Sequence, residues 1–179
     1  MEPQKYTELY IEFLRTRRSI RRYREEPVPM DLIYKILDTA RYAPSARNMQ
    51  PWEFIVVTDK EVKDRLAGVY SWPQPIRGAP VGVVVVCDSK LSPYTYQQDC
   101  ANVINYIMLA AHAYGLGTVW QGLLKDEEKL QVQQILNIPR EKIPIAIIAL
   151  GWPAEKPEAR PRKPLEEITY INLYGNKLK

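Results

Sequence analysis

Hydrophobic and polar positions divide the 179-residue chain into helix-like and strand-like stretches joined by proline-rich segments. Tyr6, Leu9, Tyr10, Phe13 and Leu14 recur at helical spacing and predict an amphipathic helix over residues 6–16. Leu32, Ile33, Ile36, Leu37 and Ala40 line one face of a second helix, about residues 30–42. Pro44 ends it, because the residue before a proline is pushed out of helical backbone. Phe54–Val57 reads as a strand. Thr58 and Glu61 then form a capping-box pattern that opens a helix from about Asp59 to Val69. Val81–Cys87 is apolar and rich in valine, which suits a central strand covered on both faces. Gln97–Tyr114 is the longest helical pattern and is apolar almost all round, so it belongs in a core or a subunit interface, with Gly115 as its C-terminal cap. Residues 117–124 read as strand running into loop, 126–136 as a helix, and 143–150 as a second central strand. After Trp152 the chain turns proline-rich and charged. Ile168–Tyr174 alternates like a strand but has no evident partner within the chain.

Composition narrows the class. Hydrophobic residues make up 46% of the sequence, enough for one domain over residues 1–179 with a proper core. No apolar run approaches the ~20 residues that span a bilayer, and the polar, charged start argues against a secretory leader. Cys87 and Cys100 have no metal-ligand spacing, so the expectation is a cytoplasmic protein with free thiols. The single histidine, His112, excludes a histidine-rich metal centre and reads as a packing or capping residue.

Net charge is +4 with a sequence pI of about 9.0. The arginines gather near residues 15–24 and 160–162, which favours local anion sites over a broad nucleic-acid face. Arg17, Arg18, Ser19 and Arg21 offer guanidinium forks and a hydroxyl suited to a phosphate; a solvated basic segment has the same composition. Pro44–Trp52 holds two prolines with Ser45, Asn48, Gln50 and Trp52. Such a stiff loop suits a flat heteroaromatic ligand, or else its polar groups only satisfy its own backbone. Trp72, in a proline-rich stretch over 71–80, either covers a ligand or packs. Nucleophile-elbow, Walker and dinucleotide-fingerprint patterns are all missing, and no side chain stands out as a catalytic acid or base.

In Arg17–Tyr23, Pro44–Trp52, Gly115–Thr118 and Arg160–Leu165, taken in that order, the chain resembles the nitroreductase family of flavin enzymes. The resemblance implies an α+β, three-layer α/β/α fold whose central mixed, mainly antiparallel sheet is surrounded by helices, in a homodimer with C-terminal exchange. It implies FMN as cofactor and NADH or NADPH as electron donor. The electrons would pass to a small-molecule acceptor of nitroaromatic or quinone type. Arg17, Arg18, Ser19, Arg21, Arg160 and Arg162 would grip the phosphate and ribityl chain. Pro44, Ser45 and Asn48 would reach the flavin from the other subunit, and the backbone of Gln121 and Gly122 would face N5 of the ring. Many members carry glutamate where this chain has Gln121. With the flavin carrying the chemistry, no catalytic side chain, metal, nucleic acid or membrane is expected. Two alternatives are a dehydrogenase or dehalogenase confined to one pathway, and a non-catalytic flavin-binding protein.

Overall fold

The uninterrupted valine run of Val81–Cys87 lies inside a four-stranded sheet. In a computed structural model, which describes residues 3–177, the strands are β1 (Trp52–Val57), β2 (Val81–Asp88), β3 (Gly117–Gly122) and β4 (Lys142–Gly151). They line up in the order β1-β2-β4-β3, and every neighbouring pair is antiparallel. The parallel component is an isolated bridge from Ser19, outside the strands, to Thr118 on β3. The outermost residues of the 1–179 span lie outside the described residues.

Alternate residues of β2 serve two cores, as the pleat requires. Val83, Val85 and Cys87 face α2 (Met30–Ala40) and α4 (Tyr96–Ala113). Val84 and Val86 face the side that carries α3 (Lys60–Ala67), with Leu66, and α5 (Asp126–Leu136), with Val132. The result is helix, sheet, helix in three layers. Each fully buried Val, Ile or Leu side chain contributes ~1.5–3 kcal/mol, so the two faces together carry most of the stability.

Helix α4 is covered largely by its own chain. Cys100, Val103, Ile104, Ile107 and Ala111 are fully buried in the core with β2, β4 and α2. Its all-round apolar pattern therefore needs no subunit interface to explain it; Asn102, Asn105 and Tyr106 form the outward strip.

Three expectations are corrected. Helix α3 is capped by Asp59, whose carboxylate accepts from Val62 N–H at 2.9 Å, and not by Thr58. Residues 168–174 form no strand. Leu165–Ile168 is a short helix, α6, and the chain then turns back through a bridge between Tyr170 and Lys177. The cysteines are paired rather than free: Cys87 on β2 and Cys100 on α4 form a disulfide with Cα atoms 6.5 Å apart, within the span such a bridge allows.

Candidate functional site

The chain leaves α1 (Pro3–Thr16) and meets the outer edge of β3 at Thr118. Ile20 N–H donates to Thr118 O at 2.9 Å. This approach requires Gly117, where a Cβ would lie 2.6–2.8 Å from the Ile20 side chain. The Tyr23 hydroxyl donates to Ile20 O at 2.5 Å and to Ala149 O at 3.1 Å, and burial holds this phenol far above its usual pKa. Arg24 N–H donates to Trp152 O and Ala154 N–H to Arg22 O, which draws the proline-rich tail alongside. Glu155 completes the join. It accepts from Arg21 N–H at 2.6 Å and from the Arg22 backbone and side chain at 3.2 and 3.0 Å. The Arg21 backbone bond is the main reason this carboxyl is held below the usual range.

Those bonds bring the two distant arginine clusters to one hollow of about 160 Å³, lined by Arg17, Arg18, Ser19, Arg21, Arg160 and Arg162 together with Pro157 and Glu158. Among the described residues no carboxylate pairs with any of these five arginines, whereas Arg22 and Arg24 each have one. Arg17 Nη1 is buried without a hydrogen-bond partner. Burial first, then Arg18 and Arg162, lower the pKa of Arg17. A buried guanidinium donor left without a partner beside other arginines is costly unless an anion joins it.

Arg21 also lines a second hollow of about 390 Å³ with Tyr70, Trp72, Gln74 and Trp120–Gly122. Thr118 O points outward to Ile20, so by the two-residue alternation the backbone groups of Trp120 and Gly122 also face the open edge of β3. Gln121 is buried, and its side chain is occupied within the protein. Its Oε1 accepts from Ile76 N–H at 3.1 Å, and its Nε2 donates to Gln74 Oε1 at 2.6 Å. A backbone N–H can only donate, so Ile76 fixes the orientation of the Gln121 amide and, through it, that of Gln74. Gln74 Nε2 is left buried and unpartnered beside the hollow. Sequence reasoning missed this residue, because a glutamine among prolines carries no periodic signal. Trp72 packs its ring 5.6 Å from Tyr70 and is 54% exposed.

The Pro44–Pro51 loop is strained. Arg47, Asn48 and Gln50 have φ of 51°, 56° and 48°, and left-handed backbone costs roughly 1–2 kcal/mol for each such residue. Local bonds hold it: Ser45 Oγ accepts from Gln50 N–H at 2.9 Å, and the Gln50 side chain donates to Asn48 O at 3.0 Å. Asn102 on α4 donates to Pro44 O at 3.2 Å. The arginine segment meets the opposite end of the same helix. There Phe13 stacks on His112 at 4.9 Å, and Thr16 Oγ1 lies 3.2 Å from His112 Nε2. Residues 102 and 112 are about 15 Å apart along a helix rising 1.5 Å per residue. A single chain therefore does not bring Ser45 and Asn48 together with the arginines.

His112 lines a further hollow of about 600 Å³, together with Thr16, Arg17, Gly115–Thr118, Pro153 and residues 155–159. Burial, then Arg17, lower its pKa and keep the imidazole neutral against Phe13. Among the described residues no cluster of His, Cys, Asp or Glu could hold a metal ion, and no helix is long and apolar enough to cross a membrane.

Comparison with known proteins gives consistent results. The family model "Nitroreductase family" matches residues 14–98 and 72–152. A protein of Methanothermobacter thermautotrophicus with the provisional name NADH dehydrogenase/NAD(P)H nitroreductase is 42% identical over 84% of this chain and 80% of its own. A crystal structure from Parabacteroides distasonis with the same provisional name superposes with a TM-score of 0.87 at 29% identity, covering 93% of this chain and 99% of that one. An FMN-dependent nitroreductase from Clostridium difficile gives 0.85 at 29% identity, over 92% and 99%. Since the family pattern spans both the arginine segment and the edge of β3, and relatives align along nearly the whole fold, the chain belongs to the nitroreductase family.

Proposed function

We propose that this chain is an FMN-dependent oxidoreductase that uses NADH or NADPH to reduce a small organic acceptor of nitroaromatic or quinone type. The observation that carries this reading is the buried, unpartnered Nη1 of Arg17 in an arginine-lined hollow that opens, past Arg21, onto a second hollow with aromatic walls. A phosphate fits the first and a flat ring fits the second. Arg17, Arg18, Ser19, Arg160 and Arg162 hold the phosphate, with Arg21 at the ribityl chain between the two hollows. Gln74 offers Nε2 to an oxygen of the ring. The edge-facing backbone of Gly122, with Gln121 before it, would border the ring in this hollow. FMN, when bound, would supply the redox chemistry that links the nicotinamide to the acceptor.

The working unit in this reading is a homodimer. Pro44, Ser45 and Asn48, remote from the arginines of their own chain, complete the site of the other subunit. Leu9, Tyr10 and Leu14 on α1, and Leu165, Ile168, Leu173 and Tyr174 on the tail, are exposed apolar residues that a partner would cover. The tail crosses to that partner. The short segments 71–78 and 88–98 leave the acceptor hollow without a large lid. The cytoplasm, where reduced nicotinamides are made, is the compartment this reading assigns.

The test is reconstitution of the purified protein with FMN, followed by anaerobic addition of NADH or NADPH and a panel of nitroaromatic and quinone acceptors. Bleaching of the flavin and its recovery on adding acceptor are expected. A protein that binds no FMN overturns the reading. A yellow protein that neither nicotinamide bleaches is a non-catalytic flavin carrier.

A further inference from the structure

We propose that Asp99 is a positioning residue for the cofactor: from α4 of one subunit it holds the Ser45 loop in the shape that completes the site of the other. This rests on the shared-site reading above. Asp99 stands in the first turn of α4 and is 3% exposed. Its Oδ1 accepts from Ala46 N–H at 2.9 Å. Its Oδ2 accepts from the hydroxyls of Ser92 at 2.8 Å and Thr95 at 3.0 Å. One carboxylate thus gathers the loop, the turn before α4 and the start of the helix. Among the described residues no Lys or Arg forms an ion pair with it; three hydrogen bonds hold the buried group.

Capping α4 does not require a carboxylate here, since Ser or Thr caps a helix as well. What Asp99 adds is a charge-assisted bond to a backbone N–H 53 positions away. Ala46 is the last residue before the left-handed Arg47 and Asn48, so the direction in which Ser45 and Asn48 point follows from where Ala46 is pinned. Asn102 lies one turn on and on the same helix face, and its bond to Pro44 O is a second tether. Without these anchors the loop relaxes towards unstrained backbone and carries Ser45 and Asn48 off the ligand.

The first experiment titrates FMN into apoprotein of Asp99→Ala and Asp99→Asn. Asp99→Ala removes all three bonds, and loss of the one that reaches the loop, from Ala46 N–H, should weaken binding by about tenfold. Asp99→Asn should recover most of that, because its oxygen still accepts from Ala46 and both hydroxyls can turn to accept from its amide. Wild-type affinity in Asp99→Ala overturns the proposal. Should that variant not fold, Asn102→Ala replaces it, with an exposed tether removed and an affinity loss of about threefold expected for a neutral bond. Wild-type affinity there overturns the proposal.

The second experiment uses heterodimers assembled from two differently tagged copies. Asp99→Ala in one chain and Arg162→Ala in the other should leave one intact FMN site per dimer. Both changes in one chain, paired with a wild-type chain, should leave none. The reverse pattern shows the loop serving its own subunit and overturns the shared site, whereas the homodimer titration reports the grip of Asp99 on the loop independently.

Discussion

The side-chain amide of Gln121 donates to Oε1 of Gln74 at 2.6 Å, across the seam between β3 and the proline-rich loop. Ile76 N–H holds the Gln121 oxygen, so the pair has one orientation and Gln74 presents a nitrogen to the ring hollow. Gln121→Glu reverses that. A carboxylate has no proton to give, so Gln74 turns its Nε2 inward and the hollow meets an oxygen instead. Ile76 keeps its acceptor. The melting temperature should change by less than about 4 °C, the equivalent of ~1 kcal/mol in a chain of this size, while FMN affinity falls several-fold. Thermal melts and FMN titration check both parts; unchanged affinity shows that the Gln74 donor is not used.

Arg21→Ala and Arg162→Ala should each weaken FMN retention by ~1.5–3 kcal/mol, the contribution of one charge-assisted hydrogen bond. Arg22→Ala serves as the contrast, because that side chain is paired with Glu155 and does not line the hollow. Equilibrium titration of the apoproteins measures all three. Equal losses across the set would remove the assignment of the hollow.

His112 gives a pH dependence of stability. Its pKa in the folded protein lies below the usual 6.5, chiefly through burial. The unfolded chain therefore binds the proton more readily, and stability is full above about pH 6.5 and lost as pH falls through the folded pKa. His112→Gln should flatten this acid-side loss, read as urea midpoints between about pH 5 and 7. Flavin reduction by NADH or NADPH should vary little from about pH 6 to 8, because no side-chain acid or base takes part in the proposed chemistry. A steep rate profile that vanishes in the same variant would give His112 a catalytic role.

Deletion of residues 168–179 should weaken dimerisation and FMN retention together. Sedimentation velocity and flavin absorbance on the truncated protein decide this. A stable yellow monomer refutes both the interface and the shared site.

Local pattern was enough where an element's own residues determine it. The helix over 126–136 and the strand starting at Val81 were legible almost to the residue, because period and β-branching act within a few positions. The tail shows the limit of that logic. Ile168–Tyr174 alternates correctly for a strand, but alternation says nothing about whether a sheet edge is open to receive it. The cysteine pair was hidden for a related reason: Cys87 and Cys100 sit on different elements, and only the packing of α4 on β2 brings them together. Gln74 had no local signature at all. The two arginine clusters were legible as candidates, but their meeting depends on Glu155, Tyr23 and the close approach at Gly117.

The meeting of Ser19 and Ile20 with β3 at Thr118 bears on solubility. β3 is an edge of the sheet, and an uncovered edge offers its backbone to any passing chain. At Thr118 the cover is the same short basic segment that lines the arginine hollow, anchored there by Ile20 N–H. An empty, loosened hollow would therefore also bare a strand template, and five crowded guanidinium groups would push the cover outward. Chains lacking their anion should aggregate through β3, and inorganic phosphate alone should restrain them.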